Sequence, residues 1–70
     1  MWTVNTLTLV DFLEVGDVIR HEGTVYQVKS LDYQELDESF LITAIDQEWE
    51  EDAEFYIPDG HMVELMFWED

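Results

Sequence analysis

Thr24-Val25-Tyr26-Gln27-Val28-Lys29-Ser30-Leu31 is the stretch whose reading decides the fold. Its β-branched and aromatic residues suit a pleated strand. Alternation sets Tyr26 and Val28 on one face and Val25, Gln27 and Lys29 on the other. Just before it, His21-Glu22-Gly23 reads as a tight hairpin, because Gly23 is free to take a positive φ. Val18-Ile19-Arg20 is then the preceding strand. Gly16-Asp17 breaks the run on its N-terminal side, Asp11 to Val15 reads as a short turn, and Thr3 to Val10 has the composition of a further strand.

Toward the C-terminus, Asp32 to Ser39 is polar and acidic, which predicts the longest loop of the chain. Phe40 to Ile45 is apolar on both faces, as a central strand requires. Trp49 to Glu54 is open between a helical turn, since Glu is a good helix former, and a strand. Ala53, Phe55 and Ile57 alternating with Glu54 and Tyr56 favour strand for its later part. Pro58-Asp59-Gly60 is a turn. Met62 to Trp68 alternates again, with Val63, Leu65 and Phe67 on one face. Tyr26, Phe40, Phe55 and Phe67 fit the core. The whole is a single all-β domain over residues 1–70 with five or six short strands, a small barrel carrying at most one short helical turn. A barrel is favoured because closure removes edges that a short chain can ill protect.

The charge balance narrows the functional classes. Eighteen acidic residues stand against two basic ones, for a formal net charge of −16, alongside three Trp, three Tyr and four Phe. An acidic disordered tail lacks such aromatics, so this chain folds and carries its charge on a compact surface. That surface repels phosphate backbones and anionic lipid, which disfavours direct nucleic-acid or membrane binding unless divalent ions bridge, and points to a basic protein as the partner. With no Cys there is no disulfide and no thiolate metal site. The absence of a basic-apolar leader in Met1 to Asn5 leads us to expect a cytoplasmic protein.

The stretch Asp11 to Ser30 resembles the start of small Src-homology-3-like (SH3-like) barrels of the KOW type, in particular the N-terminal domain of the translation elongation factor P family. Asp11-Phe12, Gly16, Val18-Ile19, Gly23 and Tyr26-x-Val28 carry the resemblance. It covers about a third of the chain and consists mainly of turn glycines and core positions, so it implies a fold rather than an activity. In that family a modified lysine sits at the tip of a Gly-rich loop. The matching stretch here, Gln34 to Glu38, has neither Lys nor Gly, and only Arg20 and Lys29 are basic. The resemblance thus implies an SH3-like barrel and speaks against a role on the ribosome.

Ten of the eighteen acids lie between Asp32 and Glu54: Asp32, Glu35, Asp37, Glu38, Asp46, Glu48, Glu50, Glu51, Asp52 and Glu54. If Glu50, Asp52 and Glu54 share a strand face, they repeat every ~6.6–6.8 Å. That is about twice the ~3.4 Å phosphate rise of one DNA strand. Such a row predicts an imitation of nucleic-acid charge. Trp49, Tyr56 and Trp68 fall on charged faces and are candidate interface anchors. The same is true of Trp2, although Trp2 and Trp68 also suit covering each other at a barrel end. The expected function is therefore non-enzymatic binding to a basic protein, as an inhibitor that mimics nucleic acid. Compact acidic domains of this kind resemble bacteriophage products. The second expectation is a structural or assembly module whose acidity serves solubility.

Other chemistries find little footing. Asp46-x-Glu48-x-Glu50 matches the first half of a calcium loop, but Glu51 stands where glycine is needed and Ile57 where the closing carboxylate is needed. His21 and His61 have no metal-ligand spacing, and neither Ser30 nor Ser39 lies in a nucleophile elbow. No catalytic residue, cofactor or metal is expected.

Overall fold

The computed structural model describes residues 1–70. Its strands are β1 (Trp2–Leu9), β2 (Val18–His21), β3 (Thr24–Gln34), β4 (Ser39–Asp46), β5 (Asp52–Pro58) and β6 (Met62–Trp68), with one 3-10 turn at Val10–Phe12. They form a single antiparallel sheet in the order β1-β6-β2-β3-β4-β5. Strands β2 to β5 meander, and β6 returns to lie between β1 and β2. No helix is long and apolar enough to cross a membrane.

The sheet curls on itself. Val10, Leu13, Ile19, Val28, Ile42, Ala44, Ile57 and Val63 form one buried cluster, drawn from β2, β3, β4, β5, β6 and the segment after β1. His21 of β2 stacks on Phe55 of β5 with ring centroids 4.2 Å apart, although β3 and β4 separate those strands in the sheet. A flat sheet would hold these rings about three interstrand spacings, or roughly 14 Å, apart. The fold is therefore all-β and barrel-like, with β1 and β5 as the two ends of the hydrogen-bonded order. Its core is small: only 10 of 70 residues are buried, so few side chains carry most of the hydrophobic stabilisation.

Turn chemistry explains the β2–β3 hairpin. Glu22 and Gly23 have φ of 49° and 83°, the paired positive values of a two-residue type I′ loop. The expected loop from Asp32 to Ser39 is shorter than its polarity suggested. Asp32 pairs with Leu41, Tyr33 with Phe40 and Gln34 with Ser39, leaving only residues 35–38 outside the strands. The partner strand satisfies the backbone there, whatever the side chains are.

A bulge at Lys29 makes this extension possible. Before it, even-numbered Tyr26 and Val28 face inward. After it, Leu31 and Tyr33 lie opposite the inward Ile42 and Phe40, while Asp32 faces out. Without the extra residue, strict alternation would aim Ser30 and Asp32 into the core. The expectation for Phe67 is corrected too: Phe67 is 41% exposed and Met66 is buried in its place. A second bulge, at Asn5 of β1, lies opposite the Leu65–Met66 step. Along β6 itself Val63 and Met66 are buried, so strict alternation does not hold through the strand.

Acid side chains also hold the end of the barrel near Val10. Gly60 N donates to Asp11 Oδ1 at 2.9 Å, and Val10 N donates to His61 O at 2.9 Å. Tyr33 Oη donates to Asp59 Oδ2 at 2.8 Å. That hydrogen bond, followed by burial and the nearby charge of Asp59, Glu38 and Asp11, pushes the Tyr33 phenol up to about 12. It holds the proton because ionisation would place a second negative charge against Asp59.

Candidate protein-binding surface

The ten central acids do not form one row. They divide between the two ends of β4 and the outer face of β5. At one end, Glu35, Asp37 and Glu38 make the β3–β4 turn around a fully exposed Leu36. At the other, Asp46, Glu48, Glu50 and Glu51 surround Trp49 in the β4–β5 turn, tied to the β2–β3 hairpin through Gln47 N donating to Val25 O at 2.9 Å. The eight residues of β4 separate these ends by roughly 23 Å at the usual strand rise.

Glu50 is not on a strand, which corrects the expected row of Glu50, Asp52 and Glu54. Its φ is 55° and β5 begins only at Asp52. Asp46 is the cause. Asp46 Oδ1 accepts from Glu48 N at 2.7 Å and from Trp49 N at 3.1 Å, and Asp46 O accepts from Glu50 N at 2.9 Å. The chain therefore closes a tight turn before it extends. The exposed row that does exist is Asp52, Glu54 and Tyr56, at alternate positions of β5. Asp32 joins the same face through its partner Leu41, which lies opposite Tyr56. Lys29 lies in a shallow depression with Asp52 and Glu54, so one of the chain's two basic residues sits within this face. The other, Arg20, is paired with Glu64 in the only ion pair.

Three of the acids carry an unfavourable backbone. Glu22, Glu38 and Glu50 all have φ between 49° and 55°, one in each of the β2–β3, β3–β4 and β4–β5 turns. A side chain with a Cβ is disfavoured there by roughly 1 kcal/mol, and Gly or Asn are the usual occupants. Acidic residues thus occupy turn tips where local folding favours something else.

The β4–β5 turn also shapes a cleft of about 390 Å³ lined by Trp2, Trp49, Trp68, Asp46, Glu48 and the β2–β3 turn. Trp2 and Trp68 are register partners at the ends of β1 and β6. Their rings meet edge to face at 78°, with centroids 5.3 Å apart. Trp49 is 70% exposed and Trp68 57% exposed. The structure thus brings Asp46, Glu48, Trp49 and Trp68 together and sets Glu35, Asp37 and Glu38 a strand length away. Trp2, expected either as an anchor or as a cover for Trp68, meets Trp68 edge to face and also lines the cleft. Pairing of β1 with β6 places the two rings side by side. No three carboxylate or imidazole groups converge to hold a metal ion.

No protein-family model, curated protein or solved structure matches this chain.

Proposed function

We propose that this is a non-enzymatic acidic binding domain that engages the basic surface of another protein and competes with nucleic acid for it, as an inhibitor of the phage-encoded kind. The observation that carries the proposal is the placement of Glu22, Glu38 and Glu50 in left-handed turn backbone. Negative charge is presented at three turn tips in spite of its local conformational cost, on a chain of net charge −16. A small domain needs a net charge of only about 2–8 for solubility. Two acidic ends and an acidic β5 face offer a basic groove several points of contact, and the field steers such a partner in from a distance. The SH3-like kinship of residues 11–30 belongs to this proposal. It is supported by Ile19 and Val28 lying fully buried and by the hairpin at Gly23.

The test is affinity capture from a cell extract with the tagged chain, followed by elution with duplex DNA or RNA and by a salt gradient. The proposal expects basic nucleic-acid-binding proteins that nucleic acid displaces and moderate salt releases. Recovery of only salt-resistant partners that do not bind nucleic acid would overturn it.

A further inference from the structure

We infer that the cleft between Trp2, Trp49 and Trp68 is a pocket for a single cationic side chain, arginine above lysine, presented by the basic partner. This inference rests on the proposed function and gives it a specific point of contact.

The three tryptophans of the chain come from three distant places in the sequence, and all three line this one cleft. Trp2 and Trp68 stand nearly at right angles, so they make a corner rather than a stack. The cleft's acidic wall is Asp46 and Glu48, and neither is in an ion pair. Indole faces beside unpaired carboxylates are what a desolvating cation finds favourable: the ring supplies its negative face and the acid supplies charge. The planar, weakly hydrated guanidinium of arginine stacks on indole and forks onto carboxylate, whereas a lysine ammonium does only part of this.

The wall is also pre-ordered. Asp46 Oδ1 is occupied by the backbone N–H groups of Glu48 and Trp49, which fixes the turn that presents the Trp49 indole. Binding would therefore order little main chain. The amino group of Met1, which also borders the cleft, donates to Glu69 O at 2.8 Å. The rest of the field around the cleft is negative. An apolar or neutral occupant would leave the acidic wall unused, and an anion would be repelled by it.

The experiment is isothermal titration at low salt with two blocked peptides, one carrying a central arginine and one carrying citrulline, its uncharged near-isostere. Both are titrated into the unchanged chain and into Trp49→Ala. Because the Trp49 ring is largely exposed, its loss should leave the melting curve in place. The arginine peptide is expected to bind about tenfold more tightly than the citrulline peptide, with lysine between them. Trp49→Ala is expected to lose about fivefold or more of the arginine affinity, and Trp49→Phe to restore part of it. Equal binding of arginine and citrulline, no loss in Trp49→Ala, or no detectable arginine binding would each overturn the inference. A protamine titration run in parallel separates the two claims. Salt-sensitive protamine binding that ignores Trp49→Ala removes the pocket and leaves the acidic-surface proposal standing. Absence of protamine binding removes that proposal, and the peptide pair still decides the cleft.

Discussion

The two edges of the sheet could hardly differ more. β1 has no ionisable side chain between Trp2 and Leu9 and exposes Val4 and Leu7, whereas β5 exposes Asp52 and Glu54 and ends in Pro58. An open edge invites pairing with another chain, and charges or proline on it are the common guard. β5 is guarded in both ways, while β1 has only its bulge at Asn5. A coat of charge spread for solubility alone would cover the apolar edge first. Here the acids gather on β3, β4, β5 and their turns instead. This difference is a reason to treat the acidity as a presented surface.

The comparison can be broken most directly by charge. Replacing Glu50, Asp52 and Glu54 by Lys changes the formal charge by +6, from −16 to −10. It is expected to weaken protamine binding at low salt by at least about tenfold. Val4→Thr with Leu7→Thr, on the other edge, is expected to change it less than about twofold. Equal losses from both edges, read by titration calorimetry, would mean that the β5 side is not special.

The next effect is on self-association. Asp52→Thr with Glu54→Thr removes the guard from β5 and should raise the weight-average mass in sedimentation at high protein concentration. Leu7→Lys on β1 should lower it wherever that edge contributes. An unchanged mass in the first variant would mean that Pro58 and the strand twist protect β5 without the acids.

Smaller still is the stability cost of crowding. Raising salt from low to physiological strength shortens the Debye length to about 8 Å and should raise Tm by about 4–8 °C, equivalent to roughly 1 kcal/mol for a domain of this size. A Tm indifferent to salt would show that the acids lie too far apart to repel. Within this effect, Glu50→Gln removes charge only, and Glu50→Gly also relieves the left-handed backbone. The glycine variant should exceed the glutamine variant in denaturant midpoint by an amount worth about 0.5–1 kcal/mol.

The smallest change concerns the end of the barrel far from the tryptophan cleft. The Tyr33 phenol should ionise near pH 12, and Asp59→Asn should return it toward 10, as read by absorbance near the phenolate band. The folded-state value is raised, so the contribution of this hydrogen bond is fully present below the ordinary phenol value and is lost as pH rises through about 12. A single titration near 10 in the unchanged chain would show that the Tyr33–Asp59 bond does not hold in solution.

Much of this fold was legible because period-two alternation and turn residues are local signals. Val18 to Leu31 shows it: Gly23 demands the hairpin, and Ile19 and Val28 can only face inward. The bulges at Asn5 and Lys29 were not legible, since a strand gains an extra residue only to match a partner's register. The outward Asp32 within β3 was missed for that reason, and Phe67 was missed because β6 does not keep strict alternation. The candidate surface divides in the same way. Its acids are plain in the composition, but the side-chain bonds of Asp46 take Glu50 out of the row and aim Trp49 at the cleft.

By itself, the sequence determined that this chain is a single β-rich domain with a strongly negative surface, because alternation, turn chemistry and charge are properties of neighbouring residues. Only the tertiary structure decided which acids stand together and that Trp2, Trp49 and Trp68 meet. Those facts depend on β6 returning between β1 and β2 and on the curl of the sheet. Both follow from burying Ile19, Val28, Ile42 and Val63 in one core, and that burial is a cooperative property of the whole chain.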